Sequence, residues 1–248
     1  MFFLQNPERV NPNYEKPQLQ ALAENIWQLK QPLSFWGTQV GTCTTVVRLK
    51  NNDLWIHPPG PWIPGVYRTL RQLGSVNYLI APNPLHHMFL SKTSLLFPEA
   101  IVYAGKKVQQ KHPHLACVDL ADSSVFPWAS EIEVLYLAGL RLDEFVFFHK
   151  NSKTLILTDL LFNLQAKDIP TRLMLYAEGV HGKLGCTRLV SKFMVQDQKA
   201  LQKTCQRILA WDFERIVMCH GDIVSVQAKQ AFIQAMAWTG FYEMSQGF

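Results

Sequence analysis

The amino-acid sequence predicts an α/β fold in which two β-sheets pack face to face and are covered by helices. The chain has 248 residues, of which 48% are hydrophobic and 17% are charged, so it is long and apolar enough to bury one large core. Strand-like and helix-like patterns alternate in two series, and no repeat, low-complexity tract or linker separates the series. We therefore expect residues 1–248 to form a single domain.

The first series begins with strand-like runs of apolar and β-branched residues, at positions 25–29, 44–49 and 53–57. Asn51 and Asn52 separate the last two runs and predict a hairpin turn. The segment 65–73 places apolar residues at helical spacing, and the apolar run 76–81 predicts a buried strand. The order is therefore strand, hairpin, helix and strand.

The second series contains four further strand-like runs, at positions 100–103, 134–137, 145–148 and 154–158. The polar residues 150–152 predict a hairpin turn between the last two runs. Near the end of the chain, 197–211 and 224–238 have helical periodicity and flank a short apolar strand at 215–219. Strands and helices interleaved in this way fit two sheets with helices on their outer faces.

The distribution of charge argues against a dedicated nucleic-acid-binding protein. Lysine and arginine exceed aspartate and glutamate by 24 to 19, but the basic residues are scattered along the chain and form no stripe. We expect a small-molecule ligand instead. The sequence carries no signal for a particular oligomeric state.

The sequence predicts a cytoplasmic protein. No apolar stretch is long enough to span a bilayer, and the first residues lack the basic region, apolar run and cleavage site of a secretory signal. The five cysteines are widely spaced and form no C-x-x-C pair, which is typical of buried thiols in a reducing compartment. Neither a disulfide framework nor a zinc ribbon is expected.

Imidazole and carboxylate side chains follow four of the predicted strands, directly or after a short turn. They are His57, the pair His86 and His87, Asp159, and His220. In layered α/β folds, binding and catalytic residues collect in the loops beyond the carboxyl ends of the strands. Imidazole nitrogens and carboxylate oxygens are ligands that zinc, manganese and iron share. We therefore expect these five residues to converge on one cleft.

Three stretches carry a resemblance to a known family. They are Pro-Asn-Pro-Leu-His-His at 82–87, Thr-Asp-Leu-Leu at 158–161 and Cys-His-Gly-Asp at 219–222. In their order and spacing the sequence resembles the metallo-β-lactamase superfamily over nearly the whole chain, and in particular a divergent branch whose members are mostly of unknown function. The resemblance implies an αββα sandwich, with two packed sheets flanked by helices.

The resemblance also implies an incomplete metal site, because the superfamily has H-x-H-x-D-H where this chain has residues 82–87. Residues without a ligand atom stand at three histidine positions of the first metal ion: Pro82, Pro84 and Leu140. The positions that hold the second ion or bridge the two ions retain possible ligands: His86, His87, Asp159 and His220. We therefore expect no two-metal site, and either one divalent ion, which would be zinc, manganese or iron, or none.

Two functions follow from the resemblance. The first is a mononuclear metal-dependent hydrolase of an ester, lactone or thioester, in which Asp159 is a ligand or the general base. His57 stands near a position where the superfamily often has aspartate, so it would orient the ligands or line the pocket. The second is a non-catalytic member of the fold that binds a small ligand or a partner. The missing ligands of the first ion favour this second function.

Each candidate residue also has a structural interpretation. Asp159 precedes an apolar run and would cap the N-terminus of a helix. His86 and His87 would begin a helix after a proline-rich turn, and His220 would make a structural hydrogen bond in a tight loop. His57 would pack within a turn. The charge cluster of Arg141, Asp143 and Glu144 is interpreted as a solvated loop or a local ion pair rather than a substrate clamp. The other histidines are interpreted as solvated surface residues: His112, His114, His149 and His181.

Overall fold

The structure is a computed structural model that describes residues 19–61, 64–122, 126–166 and 168–242. Within these ranges the chain forms two large β-sheets and a small two-stranded hairpin. The helices are α1 (Pro64–Leu73), α2 (Leu90–Leu96), α3 (Lys106–Lys111), α4 (Ile169–Glu178), α5 (Gln198–Ala210) and α6 (Ala228–Met236). A π-helical turn spans Val190–Met194, and a 3-10 turn spans Ala237–Thr239.

The first sheet has seven strands in the described part of the chain. In chain order they are β1 (Leu19–Ala23), β2 (Ile26–Gln31), β5 (Thr42–Arg48), β6 (Asp53–His57), β7 (Ser75–Ala81), β8 (Ile101–Ala104) and β9 (Cys117–Asp119), and they lie side by side in that order. The strands from β1 to β6 pair antiparallel, whereas those from β6 to β9 pair parallel through helical crossovers. The hairpin of β3 (Ser34–Phe35) and β4 (Thr38–Gln39) extends from the connection between β2 and β5.

The second sheet has four strands in the same described ranges: β10 (Ile132–Tyr136), β11 (Phe145–His149), β12 (Thr154–Ile156) and β13 (Arg215–Val217). The first three pair antiparallel, and β13 pairs parallel with β12. The connection from β12 to β13 carries α4 and α5. Since β12 and β13 run in the same direction, their carboxyl ends lie at the same edge.

The alternation of side chains along the strands builds three apolar layers. In β6, Leu54 and Ile56 pack with the helices α1, α2 and α3, whereas Trp55 packs between the two sheets. In β11, Phe147 lies between the sheets and Phe148 lies in the cluster that contains α5 and α6. Helices therefore cover both outer faces of two packed sheets, and the αββα sandwich predicted from the resemblance is confirmed.

Helices α4 and α5 begin at aspartate caps. Asp168 accepts a hydrogen bond from the Thr171 amide at 2.9 Å, and Asp197 accepts one from the Ala200 amide at 3.0 Å. Helix α4 ends at Gly179, whose φ of 74° is the left-handed conformation typical of helix C-termini. These caps fix where α4 and α5 begin and where α4 ends.

Most predicted elements are present, with differences at their ends. The final helix begins at Ala228 rather than near 224, because Val224 exchanges backbone hydrogen bonds with Ile216 and so extends the sheet. Helix α4 was not predicted, since Ile169 and Leu173 are 62% and 64% exposed and obscure its apolar periodicity. No helix in the described ranges is long and apolar enough to cross a membrane.

The topology brings four loops to one edge of the sandwich. The parallel strands β6 and β7 of the first sheet end at His57 and Ala81, and the parallel strands β12 and β13 of the second sheet end at Ile156 and Val217. The start of β5 reaches this edge too, because the Cys43 amide donates to the Cys219 carbonyl at 2.8 Å. Residues that follow these strands are therefore brought together from distant parts of the chain.

Candidate metal centre

Three of the predicted ligands meet at this edge: His86, Asp159 and His220. His86 Nε2 lies 3.2 Å from Asp159 Oδ1 and 3.2 Å from His220 Nε2, and His220 Nε2 lies 3.5 Å from Asp159 Oδ1. Their side chains are only 6–9% exposed. Among the described residues, no other three His, Cys, Asp or Glu side chains bring ligand atoms within 4.8 Å of one another.

The spacing of these three atoms fits a tetrahedral divalent ion. Ligands about 2.0–2.1 Å from zinc, at tetrahedral angles, lie about 3.3–3.4 Å from one another. The observed separations are 3.2, 3.2 and 3.5 Å. Three protein ligands is also the number found in catalytic zinc sites, where the fourth position takes water or substrate. The residues present therefore fit a single ion.

His220 is oriented as a metal-binding histidine would be. Its Nδ1 lies 2.8 Å from the Gly41 carbonyl oxygen, which is only an acceptor, so Nδ1 donates this hydrogen bond and Nε2 is the nitrogen that faces the cluster. The ring of Phe162 stacks against the imidazole, with 5.1 Å between ring centroids and 2° between planes. Hydrogen bonding and stacking together fix the tautomer and the direction of the ring.

Asp159 presents one carboxylate oxygen to the two histidines and the other to an amide. Oδ1 contacts His86 and His220, and Oδ2 accepts a hydrogen bond from Asn83 Nδ2 at 2.7 Å. Burial alone would raise the pKa of Asp159, but the charges and hydrogen bonds of His86 and His220 hold it well below its usual range. The carboxylate therefore stays anionic, which suits a ligand better than a base.

The interpretation of Asp159 as a helix cap is wrong. In the described ranges the next helix after this residue is α4, which begins at Ile169 and is capped by Asp168. Residues 160–163 continue without helix, and Phe162 exchanges backbone hydrogen bonds with Gly185. The carboxylate of Asp159 has side-chain partners instead of the free amides of a helix.

Asn83 belongs to the site although it was not among the predicted residues. Its side chain is fully buried, and its Oδ1 accepts hydrogen bonds from the amides of Leu85 and His86, both at 3.0 Å. Its Nδ2 donates to Asp159 and to Glu144 Oε2, the latter at 3.2 Å. The available signal was its position between two prolines, where an asparagine commonly shapes a turn through its own side chain.

Glu144 is a second residue that was missed, and its interpretation as part of a solvated loop or local ion pair is wrong. It is fully buried directly before β11, and its Oε1 accepts hydrogen bonds from the amides of Thr158, Asp159 and Leu160, at 3.3, 3.2 and 3.3 Å. Burial foremost, together with the charge of Asp159, raises its pKa to about 8. Because β11 is antiparallel to β12, the start of β11 lies beside the end of β12, and the glutamate meets that loop.

His87 lies next to His86 in sequence but does not join the three ligand atoms. Its Nδ1 is 2.7 Å from His112 Nε2, and its Nε2 is 3.3 Å from Lys111 Nζ. Burial, with the nearby Lys111 and His112, lowers the pKa of His87 to about 4. The turn around Asn83 thus sends consecutive imidazoles in different directions, and the ligand set narrows to three residues.

His57 is fully buried between the sheets. Its ring stacks on Trp55 with centroids 5.4 Å apart, and its Nε2 is 3.4 Å from Thr158 Oγ1. Burial foremost lowers its pKa to about 3, so the ring is neutral near pH 7. Its contact with Thr158, the residue before Asp159, places it behind the cluster and not among the three ligand atoms.

Two of the histidines interpreted as solvated are buried, so that interpretation is wrong for them. His149 is fully buried and pairs with Ser152 Oγ at 2.7 Å, and His112 is 8% exposed. The sequence pattern missed this because His149 ends a strand with both faces covered. Both residues have hydrogen-bond partners within the fold.

Pro82, Pro84 and Leu140, which the resemblance places where the superfamily has the ligands of its first metal ion, make structural contacts. The Pro82 carbonyl accepts from the Phe145 amide at 3.1 Å, and the Pro84 carbonyl accepts from Lys111 Nζ at 2.7 Å. Leu140 is 3% exposed and packs in the cluster that contains α5 and α6. Their side chains offer no ligand atom.

Gly221 holds the loop that carries His220, and replacing it with alanine is expected to destabilise the protein by about 2–5 kcal/mol and disrupt the site. Its φ is 104°, and an added Cβ would lie 2.2 Å from the Asn163 carbonyl oxygen and 2.8 Å from the Leu164 amide nitrogen. Gly182 is the matched control, since its φ is 67° but an added Cβ meets nothing within 4 Å. Urea unfolding of both variants checks the prediction, and equal losses would contradict it.

The fold is shared with solved metallo-β-lactamase structures. A metallo-β-lactamase from Pontibacter korlensis is 14% identical, covering 90% of this chain and 99% of that chain with a TM-score of 0.60. The FIM-1 metallo-β-lactamase from Pseudomonas aeruginosa, in its mono-zinc form, is 9% identical, covering 94% and 99% with a TM-score of 0.59. A putative diflavin flavoprotein A 5 fragment from Nostoc is 10% identical, covering 94% and 98% with a TM-score of 0.62. At these identities the likeness shows the metallo-β-lactamase-like fold alone.

Sequence comparison gives the family. No curated protein sequence matches the chain. The model of a domain of unknown function, DUF4336, matches residues 23–183. This match spans more than half of the chain, and it contains two of the three converging residues, His86 and Asp159. The chain therefore belongs to the DUF4336 family, a family of unknown function, and has a metallo-β-lactamase-like fold.

Proposed function

We propose that the protein binds one divalent cation, which is zinc, manganese or iron, through His86, Asp159 and His220, and hydrolyses an ester, lactone or thioester. The observation that carries the proposal is the convergence of two imidazole nitrogens and one carboxylate oxygen at 3.2–3.5 Å. These are ligand types shared by all three metals, and the spacing suits tetrahedral coordination. The mono-zinc form of the fold neighbour from Pseudomonas aeruginosa supports a single-ion site in this fold.

Each residue of the chain has a distinct part in this proposal. A bound divalent ion would supply Lewis acidity, which polarises a carbonyl and activates water. Asp159 contributes the only carboxylate among the three ligands, and both of its oxygens are already engaged, so we assign it the ligand role rather than that of general base. His220 keeps its lone pair directed at the site through its hydrogen bond to Gly41. His57 supports the loop of Asp159 through Thr158.

A non-catalytic member of the fold that binds a small ligand is the second candidate. The replacement of the first ion's ligands by Pro82, Pro84 and Leu140 favours it, because a two-ion clamp is then unavailable to hold the attacking and leaving groups. The low exposure of the three ligand side chains, 6–9%, also limits direct access to the ion. Metal binding without turnover would support this candidate.

The proposal is tested by metal analysis of protein purified without a histidine tag, followed by turnover of a panel of esters, lactones and thioesters. We expect one equivalent of metal, which His86→Ala removes and His87→Ala retains, because His87 bonds to His112 and Lys111 instead of the cluster. Two equivalents at full occupancy would contradict the single-ion site. Absence of metal even after incubation with zinc, manganese or ferrous ion would end the proposal.

A further inference from the structure

We propose that Asn83 is a positioning residue that ties His86 to Asp159 and that Glu144 anchors it, so that the three ligand atoms converge. The inference rests on the proposed ion site, whose ligands are His86, Asp159 and His220. The hydrogen bonds of Asn83 go to backbone amides and carboxyl groups rather than to an imidazole ring. Asn83 acts through the backbone of one ligand and the carboxylate of another.

The acceptor end of the Asn83 side chain controls His86. Its Oδ1 accepts from the amides of Leu85 and His86, both at 3.0 Å, which closes a turn directly after β7. This turn determines which way the His86 side chain leaves the backbone. The neighbouring His87 points to His112 instead, which shows how sharply the turn separates consecutive side chains.

The donor end of the same side chain controls Asp159. Its Nδ2 donates to Asp159 Oδ2 at 2.7 Å and to Glu144 Oε2 at 3.2 Å, so the amide bridges the two carboxyl groups. Glu144 also accepts hydrogen bonds from the amides of residues 158–160, which carry Asp159. The bridge therefore fixes both the backbone and the carboxylate of this ligand.

Asn83 also joins the two sheets at the site. It follows β7 of the first sheet, whereas Glu144 precedes β11 and Asp159 follows β12 of the second. All three residues are at most 4% exposed, so water does not compete freely for these hydrogen bonds. Loss of the bridge should move the ligands that come from different sheets relative to one another.

Two variants separate the two ends of the amide. Asn83→Asp keeps an oxygen for the amides of Leu85 and His86 but adds a third carboxyl group, whose second oxygen replaces the Nδ2 donor. Asn83→Ala removes both the acceptor and the donor. The matched controls are Asn77→Asp and Asn77→Ala, at the opposite end of β7. Asn77 Nδ2 donates to Asp53 Oδ1 at 2.6 Å, so these variants remove a similar amide–carboxylate bond far from the site.

The first measurement is titration of the metal-free full-length protein with Co²⁺, followed by its visible absorption spectrum. We expect both Asn83 variants to bind Co²⁺ about 10–100-fold more weakly, with an altered spectrum, because outer partners of metal ligands have effects of this size. The Asn77 variants should match the parent protein. Co²⁺ affinities of both Asn83 variants within twofold of the parent would overturn the inference.

The second measurement needs no metal and keeps this inference separate from the proposed function. Amide exchange at Leu85 and His86 should accelerate in Asn83→Ala but not in Asn83→Asp, and the ring ¹⁵N shifts of His86 and His220 should change in both. Failure of the parent to bind Co²⁺ would end the proposed function alone. Unchanged ring shifts in both Asn83 variants would overturn the positioning role, with or without metal.

Discussion

Replacing Asp159 with asparagine is expected to weaken divalent-ion binding by more than about 100-fold. Changes to outer partners of metal ligands already cost about 10–100-fold, and this substitution removes a direct ligand and its charge. Asparagine keeps an oxygen for the two histidines but turns a second amide toward Asn83 Nδ2, so we expect the free energy of unfolding to fall by about 1–3 kcal/mol. Hydrolysis of the substrate panel should be lost with the metal.

Asp168→Asn is the matched control for this substitution. Asp168 caps α4 by accepting from the Thr171 amide at 2.9 Å, and asparagine caps a helix about as well as aspartate. The control should change neither metal content nor thermal midpoint. Equal metal affinity in Asp159→Asn and in the parent would contradict the ligand role, whatever the effect on stability.

The layered fold could be predicted because burying one face of a strand or helix requires apolar residues at regular spacing in the sequence. The hairpin of β5 and β6 and the strand β7 are rich in apolar and β-branched residues, and Asn52 occupies the left-handed conformation that a turn asparagine readily adopts, with φ of 66°. Helix α4 gave no such signal, because its exposed face is partly apolar. Its start is set by the Asp168 cap and its end by Gly179, both of which are local features.

The three converging residues could be predicted from their positions after strands, because parallel strands β6 and β7, and β12 and β13, end at one edge. The direction in which each imidazole points could not be predicted from the sequence. His86 and His87 are equivalent in sequence pattern, and only the turn that Asn83 closes distinguishes them. These directions depend on the local hydrogen bonds of Asn83 and on tertiary partners such as His112, and neither produces a periodic pattern in the sequence.

Glu144 illustrates a different limit of the sequence. Charged residues near a predicted loop are usually solvated, and the exposed Arg141 fits that rule. The burial of Glu144 depends on three amides at the end of β12, a strand reached only after the following hairpin. No local pattern reveals that these amides lack partners of their own.

Replacing Glu144 with alanine is therefore expected to destabilise the protein by more than about 3 kcal/mol. The amides of Thr158, Asp159 and Leu160 would lose a buried acceptor, and each unsatisfied buried donor costs about 1–3 kcal/mol. Glu144→Gln keeps one acceptor oxygen for these amides and should lose less, although its new amide group faces the donor of Asn83. Urea unfolding at pH 7, extrapolated to water, measures both losses.

Glu131→Ala is the graded control for the effect at Glu144. Glu131 is also buried, at 6% exposure, but its carboxylate accepts from one backbone amide, that of Lys50 at 3.0 Å. Removing the Glu131 carboxylate should lower the free energy of unfolding by about 1–3 kcal/mol, because the change leaves one backbone amide without its acceptor, whereas Glu144→Ala leaves three. The stability order should therefore be parent, then Glu144→Gln and Glu131→Ala, and lowest Glu144→Ala. A Glu144→Ala protein as stable as Glu131→Ala would show that the three amides find other partners, and the loop of Asp159 would then not depend on this carboxyl group.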